Sequence, residues 1–223
     1  MKQLLLLCLF CIGLSTHAQR VHFGATAGVN LNQKTTFSDS KVGFHAGVKA
    51  EIGLDSWAKG LYADASLIFT RKAFESDTYI HSNGVITDPT SAQWSDLYHS
   101  NTYSLELPIY IGYKYSINSN WKLFGAAGVY GSLGLSGSLK KNEEGLNAAG
   151  RELVVGTDSK VEDNAFKNSL SRTDYGIGLK IGTEFHNHYQ LSLGYQFGLK
   201  DINKFDSRNW RNRTITASLS YLF

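Results

Sequence analysis

The feature that most constrains this chain is a strict period of two in its apolar residues. From Tyr103 to Tyr115 every second side chain, Tyr103, Leu105, Leu107, Ile109, Ile111, Tyr113 and Tyr115, is aromatic or aliphatic. Ser104, Glu106, Pro108, Tyr110, Gly112 and Lys114 take the alternate positions. Successive strand residues point to opposite faces, so the pattern predicts a strand with one apolar and one mixed face. Tyr189–Leu199 repeats it, as do Val21–Leu31, Val42–Leu54, Leu61–Phe69, Trp121–Leu135, Tyr175–Phe185 and Ile215–Phe223. That makes eight segments, an even number. Each matches or slightly exceeds the roughly 9 to 11 residues with which a tilted strand crosses a bilayer.

Charged residues make up 18% of the chain, yet no Asp, Glu, Lys or Arg stands at an apolar-face position in these segments. A Lys or Arg facing lipid at the midplane costs about 2 to 4 kcal/mol, so a lipid-facing surface accounts for the exclusion. A soluble β-sandwich also buries an apolar face, and connection lengths separate the two. Asp55–Gly60, Ser116–Asn120 and His186–His188 are short, Lys72–Thr102 and Gly137–Thr173 are long, and Asn32–Lys41 and Asp201–Arg211 fall between. Short and long connections alternate, as they do when short turns sit at one end of a membrane barrel and long loops at the other. The expected fold is all-β, an eight-stranded antiparallel up-and-down transmembrane β-barrel, with both termini on the short-turn, periplasmic side.

Lys2, the apolar run Leu4–Leu14 and the small residues around His17 have the layout of a secretory signal peptide. Residues 1–18 are expected to be removed after Ala18, leaving 19–223 as one barrel domain; the apolar run has about half the ~20 residues of a spanning anchor. Cys8 and Cys11 both lie in that segment, so the mature chain is expected to hold no disulfide, thiolate nucleophile or cysteine metal site. Neither cysteine is preceded by the small residues of a lipoprotein signal. Tyr, Phe, Trp and Gly are abundant and only two Pro occur, which favours strands. A net charge of +3 gives no reason to invoke nucleic acid.

An eight-stranded barrel is only wide enough for side chains, so its inward positions decide between channel, ligand cavity and plug. The inward charges are Lys49, Lys114, Lys122 and Lys180 against Glu51, Asp64, Glu106 and Glu184, four of each sign. Unpaired buried charges are costly, so equal numbers predict a cross-strand ionic network that closes the lumen. Lys49 is expected beside Asp64 at mid-height, and Lys122 beside Glu184 toward the periplasmic end. Inward glycines such as Gly28, Gly112, Gly128 and Gly178 leave room for Tyr62, Tyr110, Phe124 and Tyr130.

Candidate chemistry is sparse. His186 and His188 flank a tight turn and imitate a metal pair, but only Glu184 is near and a polar turn is the better reading. His45 and Glu106 both point inward, where buried polar packing accounts for them better than an acid–base pair. His99 and Ser100 are adjacent in a long connection, and adjacency is not catalytic geometry. No catalytic, cofactor-binding or metal-binding residue is assigned, and no cofactor is expected. In the long connections Tyr79, Trp94 and Tyr98 are candidate anchors for a protein or glycan. Lys141, Glu143, Glu144, Arg151, Asp163 and Lys167 read as solvated, and Arg208, Arg211 and Arg213 are expected at the outer rim, where either lipopolysaccharide phosphates or plain loop solvation accounts for them.

Several stretches carry a resemblance: Leu105-Glu106-Leu107-Pro108, the Gly-rich Phe124–Gly134, Asp174-Tyr175-Gly176-Ile177-Gly178, Leu191–Leu199, Asn212-Arg213-Thr214 and Ser220-Tyr221-Leu222-Phe223. In content and order they resemble the PorT-like outer-membrane β-barrel family of Bacteroidetes, over nearly all of the mature chain. The resemblance implies fold and outer-membrane location more than activity; one member type is linked to protein secretion, and that role is not carried over. Leu219, Tyr221 and the terminal Phe223 look like the signal read by the outer-membrane assembly machinery.

The reading is a non-enzymatic structural or interaction component of the cell envelope with a plugged lumen and long extracellular loops. A lipid-modifying or protease-type outer-membrane enzyme is the alternative, and a small porin-like passive channel the third. Implied partners are outer-membrane lipids and lipopolysaccharide, the assembly machinery and an envelope protein complex.

Overall fold

A computed structural model describes residues 21–33, 38–55, 59–82, 93–146, 153–155, 160–162, 164–204 and 209–223. The expected signal peptide, residues 1–18, lies outside them. Every expected segment is a strand: β1 Val21–Gln33, β2 Ser38–Gly53, β3 Leu61–Ser82, β4 Gln93–Ser116 and β5 Trp121–Leu146. Two short strands, β6 Leu153–Val155 and β7 Lys160–Glu162, and one turn of helix, α1 Ala165–Asn168, precede β8 Thr173–Phe185, β9 Tyr189–Gly198 and β10 Arg213–Leu222.

The sheet closes. Hydrogen-bonded neighbours run β4-β3-β2-β1-β10-β9-β8-β5, and β4 pairs β5 to complete the ring. All pairings are antiparallel, and the two chain ends meet where β1 and β10 pair from Gly24↔Leu222 to Gln33↔Arg213. Closure removes every edge, which is what lets a sheet satisfy its backbone groups in hydrocarbon. Among the described residues no helix is long and apolar enough to cross a membrane, which leaves crossing by strands open.

The alternation resolves into two surfaces. Val29, Val48, Leu67, Ile109, Val129, Leu179, Leu193 and Leu219 lie on the outside and are exposed to the surroundings. Aromatic residues bound this aliphatic band at both ends: Phe69 stacks on Tyr103 at 5.8 Å toward the long connections, and Trp121 packs on Phe185 at 4.7 Å and Tyr189 on Tyr221 at 5.2 Å toward the short turns. On β4, Tyr103 and Tyr113 are ten positions apart. At about 3.4 Å per residue and a tilt of roughly 40° they span ~26 Å, close to the ~25 Å apolar band of membrane barrels.

The short turns are locally encoded. His186 and Asn187 adopt φ of 52° and 62°, and the His188 N–H donates to Phe185 O, a tight turn with two left-handed central residues inside the three-residue connection between the paired Phe185 and Tyr189. Asn118 Oδ1 accepts the N–H groups of Asn120 and Trp121, and Asp55 Oδ1 that of Gly60, whose φ is +89°.

The long connections depart from expectation. Lys72–Thr102 was to be a loop, but β3 continues to Ser82 and pairs with β4 from Gln93 onward. β5 likewise runs to Leu146 against β4. Beyond the bilayer a strand still satisfies its backbone groups by pairing, while its side chains no longer need to alternate, so the sequence pattern stops before the strand does. Register shifts mark the change. One interrupts β2–β3 between Ser40 and Phe44, and another lies at Tyr103/Ser104, where Leu135 is the extra residue on β5. Such bulges are common at barrel rims. The second one reverses the phase of β5, so Leu139 is buried although the odd-numbered residues below it face outward.

Candidate functional site

An eight-stranded barrel passes or encloses a solute only through its interior, so the lumen is the first candidate site. Toward the short turns it is lined by paired ions, several of which border a cavity of about 460 Å³ at that end. Lys49 Nζ lies 2.8 Å from Asp64 Oδ2, as expected, and Lys180 Nζ reaches the same oxygen at 2.6 Å. Lys122 Nζ is 3.0 Å from Glu184 Oε1, also as expected. Lys114 joins the two tiers by bonding both Glu51 and Glu184. Gln190 supplies the remaining partners: its Nε2 donates to Glu51 at 2.9 Å and Glu184 at 2.8 Å, and its Oε1 accepts from Lys49 at 2.7 Å.

Aromatic side chains seal the ions. Lys114 lies 4.9 Å from the Tyr62 ring centre and Lys180 5.0 Å from that of Tyr110, while Tyr62 meets Phe124 edge-on at 6.3 Å. Asp64 and Glu184 are each 1% exposed, so the charges work in a low-dielectric interior, where removing a partner is expensive.

Above these ion pairs the lumen holds a cavity of about 70 Å³, lined in part by hydroxyls including those of Thr26, Thr70, Ser192 and Ser218. By volume it has room for a few water molecules. His45 faces it with Nε2 2.9 Å from Ser218 Oγ, and its Nδ1 lacks a protein partner. Glu106 lines the same cavity but is committed to Lys72 at 3.0 Å. The two residues thus share a chamber without forming a hydrogen-bonded dyad.

Lys72 and Asp174 were not legible as lumen charges; both are buried, and with them the described residues of the interior include five lysines and five carboxylates. Asp174 Oδ2 accepts from Tyr130 at 3.1 Å and from Asn212 at 2.6 Å. It was missed because it precedes the apolar alternation of its strand by one residue.

A larger omission is an apolar lid. Phe166 and Leu170 from α1 and its exit, with Ile202 and Trp210 from the β9–β10 connection, pack against Phe74 and Leu139 over the barrel mouth. Trp210 is 1% exposed and meets Phe74 edge-on at 5.7 Å. Gly134 makes the seat, since a Cβ there would collide with the Phe166 ring. The available signal was the presence of Phe166, Leu170, Ile202 and Trp210 in connections otherwise rich in polar residues.

The other candidates are accounted for individually. Glu184 is taken by Lys114, Lys122 and Gln190, and His188 Nδ1 lies 2.7 Å from Leu222 O, so the turn histidines have no carboxylate to share. Among the described residues no group of three or more His, Cys, Asp or Glu is arranged to hold a metal. Ser100 is buried and His99 half-exposed, on opposite faces of β4 as consecutive strand residues must be. Arg211 is exposed, and Arg213 lies 5.7 Å from the Phe197 ring centre on the outside. Arg151, Asp163 and Arg208 lie outside the described residues, as do the side chains of Tyr79, Trp94, Tyr98, Lys141, Glu143 and Glu144. Lys167 is exposed, and Leu219, Tyr221 and Phe223 face outward.

A closed ring of eight antiparallel strands, apolar and girdled outside and ionic within, defines an outer-membrane β-barrel. The chain belongs to the family described as outer membrane protein beta-barrel domain, whose model matches residues 15–204. Similar solved structures include Ail, the attachment invasion locus protein of Yersinia pestis, in complex with the heparin analogue sucrose octasulfate: 11% identity over 92% of this chain and 99% of that chain, TM-score 0.42. Neisserial surface protein A is similar at 13% identity over 93% and 100%, TM-score 0.41, and OprG from Pseudomonas aeruginosa at 10% over 91% and 94%, TM-score 0.41. No curated protein matches the chain.

Proposed function

We propose that this outer-membrane barrel is a closed, non-enzymatic component of the cell envelope that presents its long hairpins outside the cell. It is exported through residues 1–18 as a cleaved signal peptide, and its finer kinship is with the PorT-like barrels of Bacteroidetes. The observation that carries the reading is that the lumen is occupied at two levels by different chemistry, a paired ionic plug below and an apolar lid above. A pore needs a continuous hydrated path, and both levels oppose one. The strands beyond the girdle support a display role, because β3, β4 and β5 extend the wall as a paired sheet.

Two measurements test this. Reconstituted protein is expected to give no unitary conductance in planar bilayers, whereas stable channel openings refute the closed lumen. A cysteine at Ser82, in a chain whose native cysteines belong to the signal peptide, is expected to react on intact cells with a membrane-impermeant maleimide; labelling only after lysis refutes the orientation.

A further inference from the structure

The lipid-facing wall is not uniform. On β5 the outward positions include Gly125, Ala127 and Gly131 between the larger residues of β4 and β8. At Gly131 a Cβ would meet nothing within 4 Å. Around it Leu105, Leu107, Leu133, Tyr175, Ile177 and Leu199 enclose an apolar groove of about 680 Å³. The groove lies within the aliphatic band and ends at Tyr175, in the girdle nearest the long hairpins.

Directly above, the chemistry changes to cationic. Lys200 follows the groove residue Leu199, and its Nζ donates to Thr173 Oγ1 at 2.6 Å, two residues above Tyr175. Arg213 stands on the neighbouring strand against Phe197, and Arg71 points outward beside Tyr103, bonded to Asn101 at 2.8 Å. Among the described side chains the outward charges of the barrel wall at this level are all cations. Asp201, which follows Lys200 in the chain, turns its Oδ1 to the N–H groups of Asn203 and Trp210, and Asp174 is buried inside the barrel.

An apolar trough ending in basic groups at the membrane interface matches a molecule with an acyl chain and a phosphate. We infer that the groove at Gly131 seats one acyl chain of a phosphorylated glycolipid of the outer leaflet, a lipid A, whose phosphate rests on Lys200 and Arg213. Arginine and lysine suit the phosphate through charge-assisted hydrogen bonds. The missing side chain at Gly131 gives the chain its place. The leaflet follows from the outward orientation proposed above, but the groove and its cations do not depend on it.

Native mass spectrometry of the detergent-solubilised full barrel tests the site with lipid A, lipid A stripped of phosphate, phosphatidylglycerol and phosphatidylcholine. The wild type is expected to retain lipid A at least about tenfold more tightly than phosphatidylcholine, a difference of about 1.4 kcal/mol. Gly131→Leu puts a side chain into the groove at a position where a Cβ meets nothing within 4 Å, and is expected to weaken lipid A about tenfold while the barrel keeps its heat-modifiable gel mobility. The Lys200→Gln, Arg213→Gln double variant is expected to lower binding of lipid A to the level of the phosphate-free form and to leave that form unaffected. Equal retention of phosphatidylglycerol and lipid A would overturn the choice of lipid, and unchanged binding by Gly131→Leu would overturn the groove. Failure of surface labelling at Ser82 would instead remove the orientation and leave these binding results standing.

Discussion

Asp64 shows how much rests on single residues inside this barrel. It is 1% exposed and accepts both Lys49 and Lys180, so Asp64→Ala leaves two ammonium groups in the interior with reduced compensation. Breaking a buried pair costs about 3 to 5 kcal/mol. Urea unfolding in lipid vesicles is expected to show a loss of that size for Asp64→Ala, with Lys49→Met, Asp64→Leu together recovering part of it. A loss below about 1 kcal/mol would mean that water reaches the plug freely. The turn makes a second single-residue case. His186 has φ of 52°, so His186→Val is expected to destabilise by about 1 to 2 kcal/mol while His186→Gly is tolerated. Equal stability of the two variants would show that the turn backbone relaxes.

At the scale of elements, the strands were legible and the lid was not. Each strand repeats one local rule, aliphatic outward and polar or small inward, which lipid imposes without reference to any particular neighbour. The lid is the opposite case: Phe166, Leu170, Ile202 and Trp210 come from two separate connections, and only the barrel mouth brings them together. Lys49–Asp64 and Lys122–Glu184 were foreseeable because adjacent strands and similar depth set both pairs. Lys114, bridging Glu51 and Glu184 across the lumen, was not, because its partners lie on strands that do not adjoin β4. The seat of the lid gives a direct test. Gly134→Val places a side chain where the Phe166 ring lies and is expected to undock α1. Limited proteolysis in detergent is then expected to cut between 137 and 173 faster, with the barrel still heat-modifiable. Cleavage at the wild-type rate would mean that the lid is held by other contacts.

For the whole molecule, the proposed closure puts ionic network and apolar cluster in series, so opening one would leave the other shut. Gly134→Val alone is expected to remain electrically silent in bilayers. Gly134→Val combined with replacement of Lys49, Asp64, Lys114 and Glu184 by serine is expected to conduct. Conductance from the single variant would place the whole barrier in the lid. The buried plug is also screened by salt less than surface pairs are, so the unfolding midpoint is expected to change little between low and high ionic strength; a marked fall at high salt would argue for a hydrated network.

By itself the sequence determined the number of barrel strands, the face each residue takes within the eight alternating segments, the positions of the short turns and the near neutrality of the lumen. All of these follow from a period of two, a bilayer of set thickness and the cost of unpaired charge. Only the tertiary structure decided which charge meets which across the lumen, where β3, β4 and β5 end, that bulges at the rim turn Leu139 inward, and that two distant connections pack together at the mouth. Those features depend on closing the ring: it sets distances between residues far apart in the chain, and nothing local in the chain encodes them.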